Sequence, residues 1–164
     1  MKCIDQSLIG ELLNEAREVS RKRMNHNLHP SLDDKVQRFV NAMQPDTYVR
    51  PHCHFGEERW ELFIILRGEV NVLCFDDSGK IANRKVLNAN SENVIVEIPG
   101  DTWHTLVVTK KDSLVFECKS GPYIQNTDKN FAQWAPKEFE DSCEKFIDWF
   151  ENGAVGSLPP TFNA

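Results

Sequence analysis

Between Leu8 and Val19 the apolar residues Leu8, Ile9, Leu12, Leu13, Ala16 and Val19 recur at helical spacing. Glu11, Asn14, Glu15, Arg17 and Glu18 fill the other face, and Asp5 or Ser7 is placed to cap the start. The pattern then breaks into a basic stretch, Arg21 to Pro30, where Asn and Pro predict a loop.

From Val36 to Tyr123 the period changes. Short runs rich in β-branched and aromatic residues predict strands at Val36–Met43, Tyr48–His54, Trp60–Leu66, Glu69–Phe75, Ile81–Leu87, Val94–Ile98, His104–Val108 and Ser113–Cys118. Turn formers such as Arg67-Gly68, Asp76-Asp77-Ser78-Gly79 and Pro99-Gly100-Asp101 separate them. Strands at near-regular intervals without helices between them predict an all-β antiparallel sandwich or barrel, and no segment fits a βαβ unit. A second amphipathic helix is expected from about Pro136, with Phe139, Cys143, Phe146, Ile147 and Phe150 on one side and Gly153 at its end. The last residues, Leu158 to Ala164, read as extended or disordered. The expected organisation is one domain in three parts: an N-terminal helix and basic, His-containing loop over 1–35, a β-barrel over 36–123, and a C-terminal loop, helix and tail over 124–164.

Composition narrows the class. The 164 residues, 40% hydrophobic and 27% charged, suit one globular core. A net charge of -6 gives no general attraction for nucleic acid, no apolar run approaches a membrane span, and the N-terminus lacks a secretory signal, so a cytoplasmic protein is expected. Five scattered cysteines without a C-x-x-C pair suggest neither a disulfide framework nor a zinc ribbon. The five histidines are more informative: His26 and His29, His52 and His54, and His104.

His52 and His54 flank Cys53 on a predicted strand, so the pleat sets both imidazoles on one face, about 6.6 Å apart. Glu61 opens the next strand, which ends at Arg67-Gly68, and a carboxylate there is costly unless paired or ligating. Pro99-Gly100-Asp101 then delivers His104 into another strand. Three imidazoles and one carboxylate suit a divalent transition metal: Fe, Mn, Ni, Co or Zn. By alternation Trp60 and Trp103 face away from these ligands.

At these positions the chain resembles the cupin superfamily. His52-Cys53-His54 matches its paired histidines, Glu61 precedes Gly68 as in E-x6-G, and Pro99 lies five positions before His104. Three departures stand out. Six residues separate His54 from Glu61, leaving Glu57 or Glu58 as competing carboxylates; Asp101 replaces a motif glycine, beside Gly100; and Val108 replaces the final Asn. Glu61 is favoured because its distance to the turn glycine is kept. A closer resemblance, carried by Arg23 to His29, Val36-Gln37-Arg38, Tyr48 to His52, Trp60 to Phe63, Gly100 to Thr105 and Gly121-Pro122-Tyr123 with Trp134-Ala135-Pro136, is to the WbuC family of cupin-fold metalloproteins, often encoded with surface-polysaccharide genes.

The resemblance implies a jelly-roll cupin with metal ligands His52, His54, Glu61 and His104, a small-molecule substrate such as an anionic sugar derivative, and a homodimer. It points to a sugar or sugar-nucleotide substrate and to metal-assisted isomerisation or epimerisation in O-antigen and lipopolysaccharide metabolism. An Fe(II)- or Ni(II)-dependent dioxygenase and a non-catalytic ligand-binding metalloprotein are the alternatives. Candidates for a base are His26, His29 and Glu58, although the two histidines serve equally well as capping or packing groups. Arg23, Asn25 and Arg50 are candidate substrate-binding residues, with Arg38 and Tyr48 weaker. For Arg21 to Arg23 the competing reading is a solvated helix end.

Overall fold

The computed structural model describes residues 1–124 and 129–161. Helix α1 spans Gln6–Glu18, and the Asp5 carboxylate accepts the Leu8 N–H as its cap. The strands are β1 Arg23–Asn27, β2 Val36–Met43, β3 His52–Cys53, β4 Glu61–Arg67, β5 Glu69–Phe75, β6 Ile81–Asn88, β7 Ile95–Ile98, β8 Trp103–Val108, β9 Ser113–Ser120 and β10 Asn130–Phe131; α2 spans Cys143–Asn152. They form two antiparallel five-stranded sheets, ordered β1-β2-β9-β4-β7 and β10-β3-β8-β5-β6. This is a jelly-roll β-sandwich.

Along several strands the inward face changes character from one end to the other. On β4 it runs Glu61, Phe63, Ile65; on β9, Lys119, Glu117, Val115; on β2, Gln37, Phe39, Asn41, Met43. The apolar ends meet Val70, Val72, Leu87, Leu106 and Val108 in a buried core that closes one end of the sandwich. The polar ends line a cavity of about 680 Å³. Two further clusters buttress the outside. Leu12, Leu13 and Ala16 of α1 pack on Val40, Ala42 and Leu114, while Phe146, Trp149 and Phe150 of α2 pack on Leu73, Phe75 and Val107.

Four expectations need correction. Residues 23–27, expected in a loop, form edge strand β1, which extends the first sheet upstream of residue 36. Arg23, Asn25 and Asn27 face the polar cavity rather than an apolar core, so no hydrophobic alternation marks the strand. The run Tyr48–His54 keeps ladder pairing only at His52–Cys53; Pro51 lacks an N–H, and its carbonyl accepts from Ala132 instead. Helix α2 starts at Cys143 rather than near Pro136, because Phe139 has a φ of 72°, outside the helical region. Phe139 is accordingly exposed rather than on the packed face. Gly153 does cap the helix C-terminus, donating its N–H to the Trp149 carbonyl. Of the expected extended tail, residues 162–164 lie outside the described residues.

Candidate metal centre

β3 and β8 pair His52 directly opposite His104, and the adjoining residue His54 turns its ring to the same side. Glu61 enters from the facing sheet, at the start of β4. The ligand atoms of the four residues lie within 4.8 Å of one another, and all four side chains are buried. Glu57 and Glu58 are exposed, so the carboxylate of this group is Glu61, as its spacing to Gly68 suggested.

The ring orientations test whether a metal fits. Nδ1 of His52 lies 3.0 Å from the Arg50 carbonyl and Nδ1 of His104 lies 2.8 Å from the Thr102 carbonyl. A carbonyl can only accept, so both rings carry a proton on Nδ1 and turn Nε2 inward, as metal-bound histidines do. Nε2 of His104 then faces Oε2 of Glu61 at 2.8 Å, a contact filled by a shared proton in the metal-free protein and by a cation when one is bound. Nε2 of His52 is buried without a hydrogen-bond partner. The donor set thus fits one divalent transition metal.

The electrostatics agree. Burial, then the charges of Lys129 and His104, hold His52 well below the ordinary histidine value, in the neutral form a ligand requires. Burial opposes ionisation of Glu61, but contacts with His104, His54 and Lys119 overcome it and keep the carboxyl well below its usual range. The Lys119 ammonium stands 3.6 Å from Oε1 of Glu61. Glu117 behaves oppositely: burial, then the charge of Glu61, raises it well above normal, and it accepts a 2.9 Å hydrogen bond from Asn41.

A turn lock holds the histidines in place. The Asp101 N–H donates to the His54 carbonyl at 2.9 Å, and the Asp101 carboxylate accepts the Gly56 N–H at 2.9 Å. Asp101 has a φ of 59°, so the position where the cupin motif carries glycine keeps the left-handed backbone with an aspartate that ties down the 54–56 loop.

The other sequence candidates separate. Asn25, His29 and Arg50 line the cavity. Arg50 donates to the Ala132 carbonyl at 2.8 Å and lies over Phe131, while its Nε is buried without a partner. Arg23 also lines the cavity, but its guanidinium is held by Glu138, the Thr47 hydroxyl and the Tyr48 carbonyl. Arg21 pairs with Glu138 as well, so the basic stretch is not simply a solvated helix end. His26 alternates to the other face of β1, and exposed Glu58 is not among the cavity residues. Arg38 pairs with Asp34, and Tyr48 donates to the Pro136 carbonyl and stacks on Phe150. Trp103 packs outside the sandwich, away from the ligands. Sequence reasoning missed Gln37, Asn41, Glu117 and Lys119; the charges at alternate positions of β9 were the available signal.

Fold and site together define a cupin-fold protein with a buried three-histidine, one-glutamate group. The chain belongs to the family described as Domain of unknown function (DUF6016), whose model matches residues 4–87, just over half of the sequence. No curated protein matches it. Among solved structures it is similar to CapF bound to the inhibitor 3-isopropenyl-tropolone, at 16% identity and TM-score 0.56, covering 70% of this chain and 32% of that one. CapF of Staphylococcus aureus, described as a capsular polysaccharide assembling protein, superposes at 16% identity and TM-score 0.54, over 65% and 31% of the two chains. Oxalate oxidase with the substrate analogue glycolate superposes at 17% identity and TM-score 0.52, over 70% and 57%. The chain therefore spans about a third of CapF and somewhat over half of oxalate oxidase.

Proposed function

We propose that His52, His54, Glu61 and His104 hold one divalent transition metal and that the protein is an enzyme acting on a sugar or sugar-nucleotide derivative. The observation that carries this reading is a buried N/O donor group opening onto a polar cavity of about 680 Å³. A bound ion would supply Lewis acidity toward a carbonyl or vicinal hydroxyl, which favours isomerisation or epimerisation. An ion held by these four residues would keep a side open toward the cavity for substrate.

The chain's own residues supply the rest. Arg50, Lys119 and Lys129 give the cavity wall cationic groups in a protein of net charge -6, which suits an anionic substrate. Asn25 and Asn41 offer hydrogen bonds to hydroxyls. His29 and Glu117 are the acid–base candidates within the cavity. Arg23, bound by Glu138, orders the cavity rim. Membership of the WbuC family, a cytoplasmic location, a homodimeric state and a role in O-antigen metabolism belong to the same reading, supported by the motif resemblance and by the fold shared with CapF.

Solvent deuterium exchange tests it: a C–H bond of a keto- or uronic-sugar derivative should exchange in deuterated water only with metal, and equally without oxygen. Shared fold with oxalate oxidase favours a second reading, an Fe(II)- or Ni(II)-dependent dioxygenase, for which turnover would consume oxygen and stop anaerobically. Tight binding without turnover across a substrate panel would mark a non-catalytic ligand-binding protein.

A further inference from the structure

The register of the first sheet aligns Glu61 with Lys119 and Lys119 with Gln37, and all three side chains are buried along the cavity wall. His29, just past the end of β1, lies beyond Gln37 against β2 and lines the same cavity at 6% exposure. The row Glu61, Lys119, Gln37, His29 thus crosses the floor from the metal centre. It covers about three strand spacings, or roughly 14 Å of backbone separation.

His29 is set as a donor. Its Nδ1 lies 3.0 Å from both the backbone N–H and the carbonyl of Arg38; the carbonyl already accepts from the Leu28 and His29 N–H groups, so the Arg38 N–H donates to Nδ1. An Nδ1 that accepts leaves the ring proton on Nε2, and that Nε2 is buried with no partner. The segment carrying it is clamped on several sides. Gln37 donates to the Leu32 and Asp34 carbonyls, the Gly121 N–H to Lys35 and the Tyr123 N–H to Leu32. A buried N–H held this rigidly without an acceptor is destabilising, a cost a ligand oxygen would remove.

We infer that His29 Nε2 forms, with Lys119 between it and the metal centre, a second subsite that takes a terminal anionic oxygen of the ligand. This rests on the proposed metal site and narrows the substrate class. The ligand is a polyhydroxylated chain of about six carbons that chelates at one end and carries a carboxylate or phosphate at the other. A two-carbon hydroxy acid is too short to engage both ends.

Calorimetry on metal-loaded protein, with metal content measured alongside, tests this with three probes: glycolate, the six-carbon diacid glucarate, and 6-phosphogluconate. At least one six-carbon probe should bind about tenfold or more tighter than glycolate, and which one does so identifies the end group. His29→Asn keeps an acceptor for the Arg38 N–H but removes the distant donor. It should abolish that advantage and leave the glycolate affinity and metal content unchanged; His29→Gln, which restores a donor at that reach, should recover part of it. The inference is overturned if fully metallated wild type binds neither six-carbon probe more tightly than glycolate, or if His29→Asn weakens all probes alike. Wild type that takes up no metal instead defeats the underlying metal-site reading.

Discussion

Gly100 packs so closely on Gly56 that a β-carbon at position 100 would stand 1.9 Å from the Gly56 carbonyl oxygen. Gly56 belongs to the loop joining His54 to Glu61, and Gly100 to the turn that leads into His104. One backbone contact therefore couples the approach of three of the four ligand residues. Gly100→Ala must push these segments apart. It should lower metal affinity at least about tenfold, the scale on which disturbed support of metal ligands is felt, although residue 100 donates nothing to the ion. Competition against a chromophoric chelator measures it; wild-type affinity in the variant would refute the coupling.

Metal removal should be visible in stability. An ion that binds only the folded chain contributes about 2.7 kcal/mol when its concentration is 100 times Kd. Purified protein should carry close to one equivalent by elemental analysis and lose several degrees of Tm on chelation. His52→Ala combined with His104→Ala should contain no metal and show no chelator-dependent shift.

Glu117 and Glu61 should give the metal-free protein opposite responses to pH. Glu61 lies below its ordinary 4.5, so its contribution is present above that value and is lost as pH falls through the folded-state pKa. Glu117 lies above 4.5, so its contribution is complete below that value and is lost as pH rises through the folded-state pKa. Glu117→Gln keeps a neutral side chain for Asn41. In chelated protein it should leave Tm near pH 4 almost unchanged and raise it by about 3 °C or more at pH 8, roughly 1 kcal/mol at this length. An equal Tm difference at both pH values would contradict the assignment.

Arg23 and Glu138 tie β1 to the segment before α2, and the Arg23 side chain is 15% exposed. Burial lowers the Arg23 pKa, against the opposing charge of Glu138. Removing one partner strands the other. Arg23→Ala and Glu138→Ala should each destabilise by about 1–3 kcal/mol, and the double variant should cost clearly less than their sum. A strictly additive cycle by urea denaturation would show that the pair is not coupled.

How far the sequence discloses this molecule depends on what each residue faces. Helix α1 and its Asp5 cap are readable because one face packs on Val40, Ala42 and Leu114 and the other meets water. His52, His54, Glu61 and His104 are readable because strand alternation and the spacing to Gly68 place them without long-range knowledge. Strand β1 is hidden because its inward residues are polar and only Met24, on its other face, joins an apolar cluster, the one formed with α1. Phe139 suggests an earlier helix start by its apolar character, yet its left-handed backbone is a tertiary outcome. Gln37, Glu117 and Lys119 become a single polar floor only once the register of β2, β9 and β4 is known.

Cys53, fully buried between two proposed ligands, has its thiol pushed up to about 11 by burial and then by the charges of Asp101 and Asp77. The two-residue strand β3 consequently acts as a sieve for donor softness, presenting nitrogen to the cavity and keeping sulfur protonated on the far side. A slip of one position would exchange the imidazole pair for a lone thiolate and change the ions the protein prefers. The fidelity of that short ladder, where His52 faces His104, is therefore also a fidelity of metal choice.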